Sequence, residues 1–191
     1  MGTMLLRRAT FETPVGPMLA LASPTGLCAL EFDAARRHER LEARLARWFA
    51  PFTIEEAEAC GESPDADRLA ADRGLQVTRR WLTAYFDGPA TAAPRAPFDM
   101  RGTRFELDVW LALLDVPSGA TASYGAIARR IGRPAASRAV GLANGANPMA
   151  IVVPCHRIIG TNGALTGYGG GLDRKRWLLR HEAPEPTPSL F

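Results

Sequence analysis

Only three cysteines, Cys28, Cys60 and Cys155, and three histidines, His38, His156 and His181, occur in 191 residues. Three scattered thiols cannot build a disulfide framework, and the odd count leaves at least one free, which fits a reducing compartment. The Cys and His positions lack the paired spacing that zinc requires, so no metal is expected. Lysine is almost missing: Lys175 is the only one among 23 basic side chains. No stretch approaches about 18 uninterrupted apolar residues, and Met1 to Arg8 lacks the apolar core and cleavage site of a secretory signal. The expected location is therefore the cytoplasm, with no membrane partner. A composition of 47% hydrophobic and 23% charged residues excludes disordered, collagen-like and coiled-coil chains and leaves material for one large domain or two small ones.

Charge is unevenly spread. Residues 1–100 carry 12 basic and 14 acidic side chains, whereas residues 101–191 carry 11 and 6. The second half is thus the candidate surface for a polyanion.

Between Met4 and Phe32, short apolar runs alternate with the turn signals Pro14-Val15-Gly16-Pro17 and Thr25-Gly26, the pattern of a strand meander. Leu41, Leu45, Trp48 and Phe49 then recur at helical spacing, as do Leu75, Trp81, Leu82, Tyr85 and Phe86. The polar, acidic stretch Thr53 to Arg73 between them is expected to be an exposed connection. Gly88 to Pro97 holds three prolines in ten residues and reads as a linker, placing a domain boundary near Pro97. Beyond it, Phe105, Val109, Leu113 and Leu114 share one helical face, and Pro117-Ser118-Gly119 ends that helix.

Ser123 is a suitable N-cap for a helix with Ile127, Ala128 and Ile131 on its apolar face, closed by Gly132. Pro134 opens another, running from Ala135 to about Asn144. Two short helices joined through a glycine spell a helix-turn-helix. The second helix is unusually rich in small side chains, either because something approaches its surface closely or because it packs tightly inside the protein.

Ile151 to Ile159 places Pro154-Cys155-His156-Arg157 between two apolar runs. A thiol becomes a nucleophile as the thiolate, which a nearby base favours. Neighbouring side chains do not face each other on a helix or strand, so Cys155 and His156 need a turn or a bridging water to share a proton. Asp173 and Glu182 are the downstream carboxylates available to orient an imidazole. Taken alone, a Cys-His pair is more often accidental than catalytic. The glycine-rich Gly167-Tyr168-Gly169-Gly170-Gly171 lacks phosphate-loop spacing and is read as backbone lying against a flat ligand.

Together, Arg138-Ala139-Val140-Gly141, Asn147-Pro148, Pro154-Cys155-His156-Arg157, Gly167-Tyr168 and the segment Lys175 to Glu182 resemble the O6-alkylguanine-DNA alkyltransferases, also called methylated-DNA–protein-cysteine methyltransferases. The resemblance is dense over about residues 102–182. It implies an α+β fold in two domains: residues 1–97, a small ribonuclease H-like sheet with helices and a Pro/Ala-rich linker at its end; and residues 98–191, a mainly helical domain with a winged helix-turn-helix.

The resemblance further implies irreversible, single-turnover transfer of an alkyl group from O6 of guanine in double-stranded DNA to Cys155, without a cofactor. O4 of thymine is a second candidate atom from which the alkyl group is taken. His156 matches the base that acts through a water, Glu182 the carboxylate that orients it, Asn147 the residue bracing the turn, and Tyr124 a proton donor toward guanine N3. Arg138 matches the side chain that fills the gap left by an extruded base. Ser137, Ala139, Gly141 and Thr161 carry over as DNA contacts, with Tyr124 near the flipped phosphate. The carbonyls of Val153 and Cys155 would receive the guanine amino group, and the backbone of Tyr168 and Gly169 would close the pocket, bordered by Ala150 and Thr166. Some relatives have serine at the position of Gly169. A monomer is expected, with cooperative binding along DNA left open. An alkyltransferase-like damage-binding protein without transfer, and a Cys-His hydrolase, are the alternatives.

Overall fold

The computed structural model describes residues 2–57, 65–88 and 97–183, apart from the side chains of residues 35 and 36. The meander forms as β1 (Met4–Phe11), β2 (Met18–Ser23) and β3 (Gly26–Phe32), paired antiparallel. A helix, α1 (Ala35–Trp48), then carries the chain back so that β4 (Phe52–Glu56) lies parallel to β1, giving the order β3-β2-β1-β4.

That fourth strand corrects the expected loop. Thr53 to Glu56 lie in β4, and a long helix, α2 (Ala66–Asp87), begins seven residues before Arg73. The acidic text concealed a strand because its partner is basic: Arg7 sits opposite Glu55 and Arg8 opposite Glu56, and both pairs are ion-paired. Opposite charges facing each other across a ladder stabilise the pairing. Asp65 caps α2 by accepting the backbone N–H groups of Asp67 and Arg68. Cys60 and most of the Pro/Ala-rich segment, residues 89–96, lie outside the described residues.

Strand alternation splits the sheet into two apolar faces. Leu6, Leu21 and Ala29 pack with Leu41, Leu45 and Phe49 on the α1 side. Ala20, Ala22, Leu27 and Leu30 pack with Ala71, Leu75, Leu82 and Tyr85 of α2, and this second cluster continues without a break into Trp110, Val140, Met149, Ile151 and Leu178. The sheet edge explains the continuity. Every residue of β3 is buried, because its open edge is covered by two bridges, Leu27 with Phe98 and Leu30 with Met149. An uncovered edge of this length would be a template for aggregation.

The second half is mostly helical. Helix α3 (Arg104–Leu114) starts at a reciprocal capping box between Thr103 and Glu106, and its Trp110 is fully buried with Nε1 donating to the Ala143 carbonyl at 2.9 Å. Ser123 caps α4 (Tyr124–Arg130) as expected, a short 3-10 turn Pro134–Ala136 follows, and α5 (Ser137–Gly145) completes the helix-turn-helix. A two-residue strand, β5 (Ala122–Ser123), pairs parallel with β6 (Ile158–Ile159), and α6 (Leu172–His181) closes the described chain. Among the described residues no helix is long and apolar enough to cross a membrane.

The clasp between halves depends on Gly26. It stands at φ 152°, and a Cβ there would collide with the Pro97 carbonyl. Leu27 donates to Pro97 and accepts from Asp99 at that point. Gly26→Ala is expected to cost about 1–3 kcal/mol, seen as a lower urea midpoint; an unchanged midpoint would mean that the edge is not clasped there.

Candidate active site

The segment after α5 is wound so tightly that its carbonyls turn inward. Ala150 N–H donates to Leu30 and Val153 N–H to Met149, and Ile151, β-branched, is forced to φ 68°, a conformation such residues avoid. Asn147 holds the coil together. Its Oδ1 accepts from Met149 N–H at 3.0 Å, and its Nδ2 reaches the Val153 carbonyl at 2.8 Å and the Cys155 Sγ at 3.0 Å. Cys155 to Arg157 then form one 3-10 turn, with all three side chains buried.

Burial pushes the Cys155 thiol up, while the Asn147 N–H and the charges of Arg37 and Lys175 pull it down and Glu31 adds to the rise. At rest the group is a thiol. The turn does not bring the two side chains together: no hydrogen bond joins Cys155 to His156 among the described residues, which leaves a bridging water as the route between them. His156 instead turns its Nε2 to Glu182 Oε1 at 2.8 Å and leaves Nδ1 buried without a partner among the described residues.

Glu182 is the centre of the arrangement. Its carboxylate accepts from the Tyr85 hydroxyl at 2.7 Å, from His156, and from Arg157 Nε at 2.7 Å and Nη2 at 2.9 Å. Burial alone would raise it, but the bonds and charges of His156 and Arg157 prevail and hold it at about 2. Burial keeps His156 below its ordinary value against the pull of Glu182. An ionised acceptor at Nε2 assigns the proton to that nitrogen, so Nδ1 carries the lone pair.

Two members of this network were missed in the sequence. Tyr85 reads there as one more apolar position of α2, and nothing in the pattern marks its hydroxyl. Arg157 carried a signal that went unused, a charge inside an apolar run; its Nη1 also bonds the Val116 carbonyl. Lys175, fully buried, donates to the carbonyls of Ile158 at 2.5 Å and Thr166 at 2.9 Å, and burial lowers it.

Tyr124 sits half-buried in the first turn of α4, with its hydroxyl accepting from Thr166 Oγ1 at 3.3 Å. Arg138, Ala139 and Thr161 are exposed, and Ser137 and Gly141 half-exposed. The two glycines of α5 are not required by packing within the described residues: a Cβ at Gly141 would meet Tyr124 at 3.7 Å, ordinary contact, and one at Gly145 would meet none of their atoms within 4 Å, whereas Ala143 is buried in the core.

At the glycine run, the Tyr168 ring stands edge-on between Phe32 and His156, its hydroxyl buried without a hydrogen-bond partner among the described residues. A Cβ at Gly169 would meet the Arg37 guanidinium, itself paired to Glu31, so a larger residue there requires that side chain to move. That contact gives a local reason for glycine where serine was the alternative. One expectation needs correction. The Val153 carbonyl already accepts from Cys155 N–H and from Asn147, both at 2.8 Å, and Val153 is fully buried, so it has no capacity left for a guanine amino group. The Cys155 carbonyl is engaged more loosely, by Ile158 N–H and by Asn144 at 3.4 Å.

Residues 104–184 match the family described as "6-O-methylguanine DNA methyltransferase, DNA binding domain". The methylated-DNA–protein-cysteine methyltransferase of Mycobacterium tuberculosis is 60% identical over 109 residues, 57% of this chain and 66% of that protein. The protein of the same name from Salmonella typhimurium is 41% identical over 171 residues, 89% of this chain and 91% of the other. Among solved structures, that of Mycobacterium tuberculosis OGT in complex with DNA superposes with a TM-score of 0.69 at 39% identity, covering 93% of this chain and 95% of that one.

The carboxylate network fixes a pH dependence. Unfolded Glu titrates near 4.3, so the stability contributed by Glu182 is present above about that pH and is lost as pH falls through about 2. His156, held neutral, acts with the same sign and begins to cost stability below about pH 6.5. Urea midpoints should fall with acid across this window, and Glu182→Gln should lower stability at neutral pH while flattening the acid end of the curve. An equally steep acid limb in the variant would count against the network.

Proposed function

The chain belongs to the methylated-DNA–protein-cysteine methyltransferase family, and from that premise we propose that it repairs double-stranded DNA directly, taking an alkyl group from guanine O6 onto Cys155. The observation that carries this reading is the joint placement of Asn147 against the Cys155 Sγ and of a neutral His156 whose Nε2 is anchored on ionised Glu182.

The damaged nucleotide leaves the stack, since its O6 substituent is out of reach of a buried thiol inside a duplex. Arg138, exposed on α5, fills the gap, while Ser137, Ala139, Gly141 and Thr161 face the DNA and the small side chains permit close approach in the minor groove. The base lies against the backbone of Tyr168 and Gly169, with its amino group toward the Cys155 carbonyl. Cys155 then gives its proton through a water to His156 Nδ1, and Sγ attacks the alkyl carbon in line. The S–C bond forms as the C–O6 bond breaks. Tyr124 donates toward guanine N3, so the base departs neutral. The proton released by the thiol balances the one that guanine gains.

A thioether offers this site no route to hydrolysis, so each molecule acts once. The protein works as a monomer in the cytoplasm, where thiols stay reduced. Residues 1–97 form one domain and 98–191 the other; the lesions accepted include O6-methylguanine and, as a second candidate, O4-alkylthymine.

Incubation with a duplex bearing one O6-methylguanine should add the mass of a single CH₂ group to the intact protein, mapped to the Cys155 peptide, in stoichiometric and irreversible fashion. Cys155→Ala should abolish the gain and keep duplex binding. Glu182→Gln should slow transfer by about 10²-fold or more. Turnover beyond one equivalent, or a mass gain on another residue, would overturn the mechanism.

A further inference from the structure

Helix α1 sorts its charges by face. At about 100° per residue, Arg37, Arg40 and Arg44 fall in one stripe, with Glu39 and Glu42 turned away. The surroundings agree: Arg37, Arg40 and Arg44 line a groove of about 390 Å³ together with Gly141, Leu142 and Gly145 of α5, whereas His38 and Glu42 line a separate cavity on the other flank. The groove is therefore walled by the arginines of the first half on one side and by the proposed DNA-reading helix on the other.

The three arginines differ in how they are held. Arg37 is paired with Glu31. Arg44 stacks on Trp110 and donates only to the backbone carbonyls of Ala146 and Arg101, so no bonded carboxylate offsets its charge. Arg40 is exposed and makes no hydrogen bond or ion pair among the described residues. Three guanidinium groups thus face this groove against the single carboxylate of Glu31. Leu142, 74% exposed, stands on the opposite wall. Gly145 lies seven residues beyond Arg138, about 10 Å along α5, which is the spacing of one to two phosphates along a strand.

We propose that the arginine face of α1 extends the DNA interface, with Arg40 binding the phosphodiester backbone of the duplex next to the stretch read by α5. The first half would then add to binding a contact that carries no sequence information. The proposal rests on the alkyl-transfer reading of α5 and Cys155.

The test measures binding of a fluorescent undamaged duplex from about 50 to 200 mM salt for the full chain and for Arg40→Ala, Arg40→Lys and Arg40→Glu. Losing one phosphate contact should reduce the slope of log K against log salt by about 0.9, with a several-fold weaker affinity for Arg40→Ala and a greater loss for Arg40→Glu. Arg40→Lys should keep the slope, because a lysine still neutralises a phosphate. Thermal melting checks that each variant is folded. Folded Arg40→Ala and Arg40→Glu that bind with the parent slope and affinity, in a parent that binds and transfers, would overturn the proposal alone. A parent that neither binds a duplex nor takes up an alkyl group would overturn the earlier reading and this one with it.

Discussion

A carboxylate taken out of water costs several kcal/mol unless its lone pairs are filled, and Glu182 meets that condition with three donor residues from two separate stretches of chain: Tyr85 on α2, and His156 and Arg157 on the turn that carries the thiol. Removing a donor would leave a buried charge under-compensated, so these stretches are held together by a penalty for separation as well as by their own packing. The same bonds fix which imidazole nitrogen carries the proton. Folding and chemistry therefore depend on one set of hydrogen bonds, and part of that set belongs to the first half of the chain.

The thiol is governed by the opposite constraint. A standing thiolate would need nearby positive charge, yet Cys155 is buried, its strongest polar partner is the neutral amide of Asn147, and the net effect raises it. Reactivity is thus not stored in the resting protein. In the proposed reaction it arises when a bound substrate brings an electrophilic carbon to Sγ while His156 takes the proton. For a group that can be consumed only once, a protonated resting state limits loss to other electrophiles and oxidants, because the thiolate is the reactive form.

Much of this was legible in the residues. Periodicity placed the meander and the helices, and Ser123, Pro134 and Gly132 marked the helix-turn-helix, because local propensities decide such boundaries. The Cys-His-Glu constellation was legible through spacing and resemblance together. What escaped was set by tertiary partners. The strand Phe52–Glu56 looks like a loop until Arg7 and Arg8 are laid beside it. Tyr85 looks like core until a carboxylate almost 100 residues away reaches its hydroxyl. Val153 resembled a free acceptor because a sequence does not show that its carbonyl is already filled twice.

The two halves also constrain each other's residue choices. A Cβ at Gly169 would displace Arg37, and one at Gly170 would collide with the rings of Phe32 and Tyr168; Arg37 and Phe32 come from the sheet half of the chain. The loop that closes over the proposed base pocket is therefore shaped by α1 and β3 as much as by its own sequence. A serine at 169 would require Arg37 to move, and moving Arg37 would leave the buried Glu31 without its closest cation. The composition of the pocket wall is linked through that ion pair to the first half, which gives the sheet a part in the site's chemistry although it supplies no reacting atom.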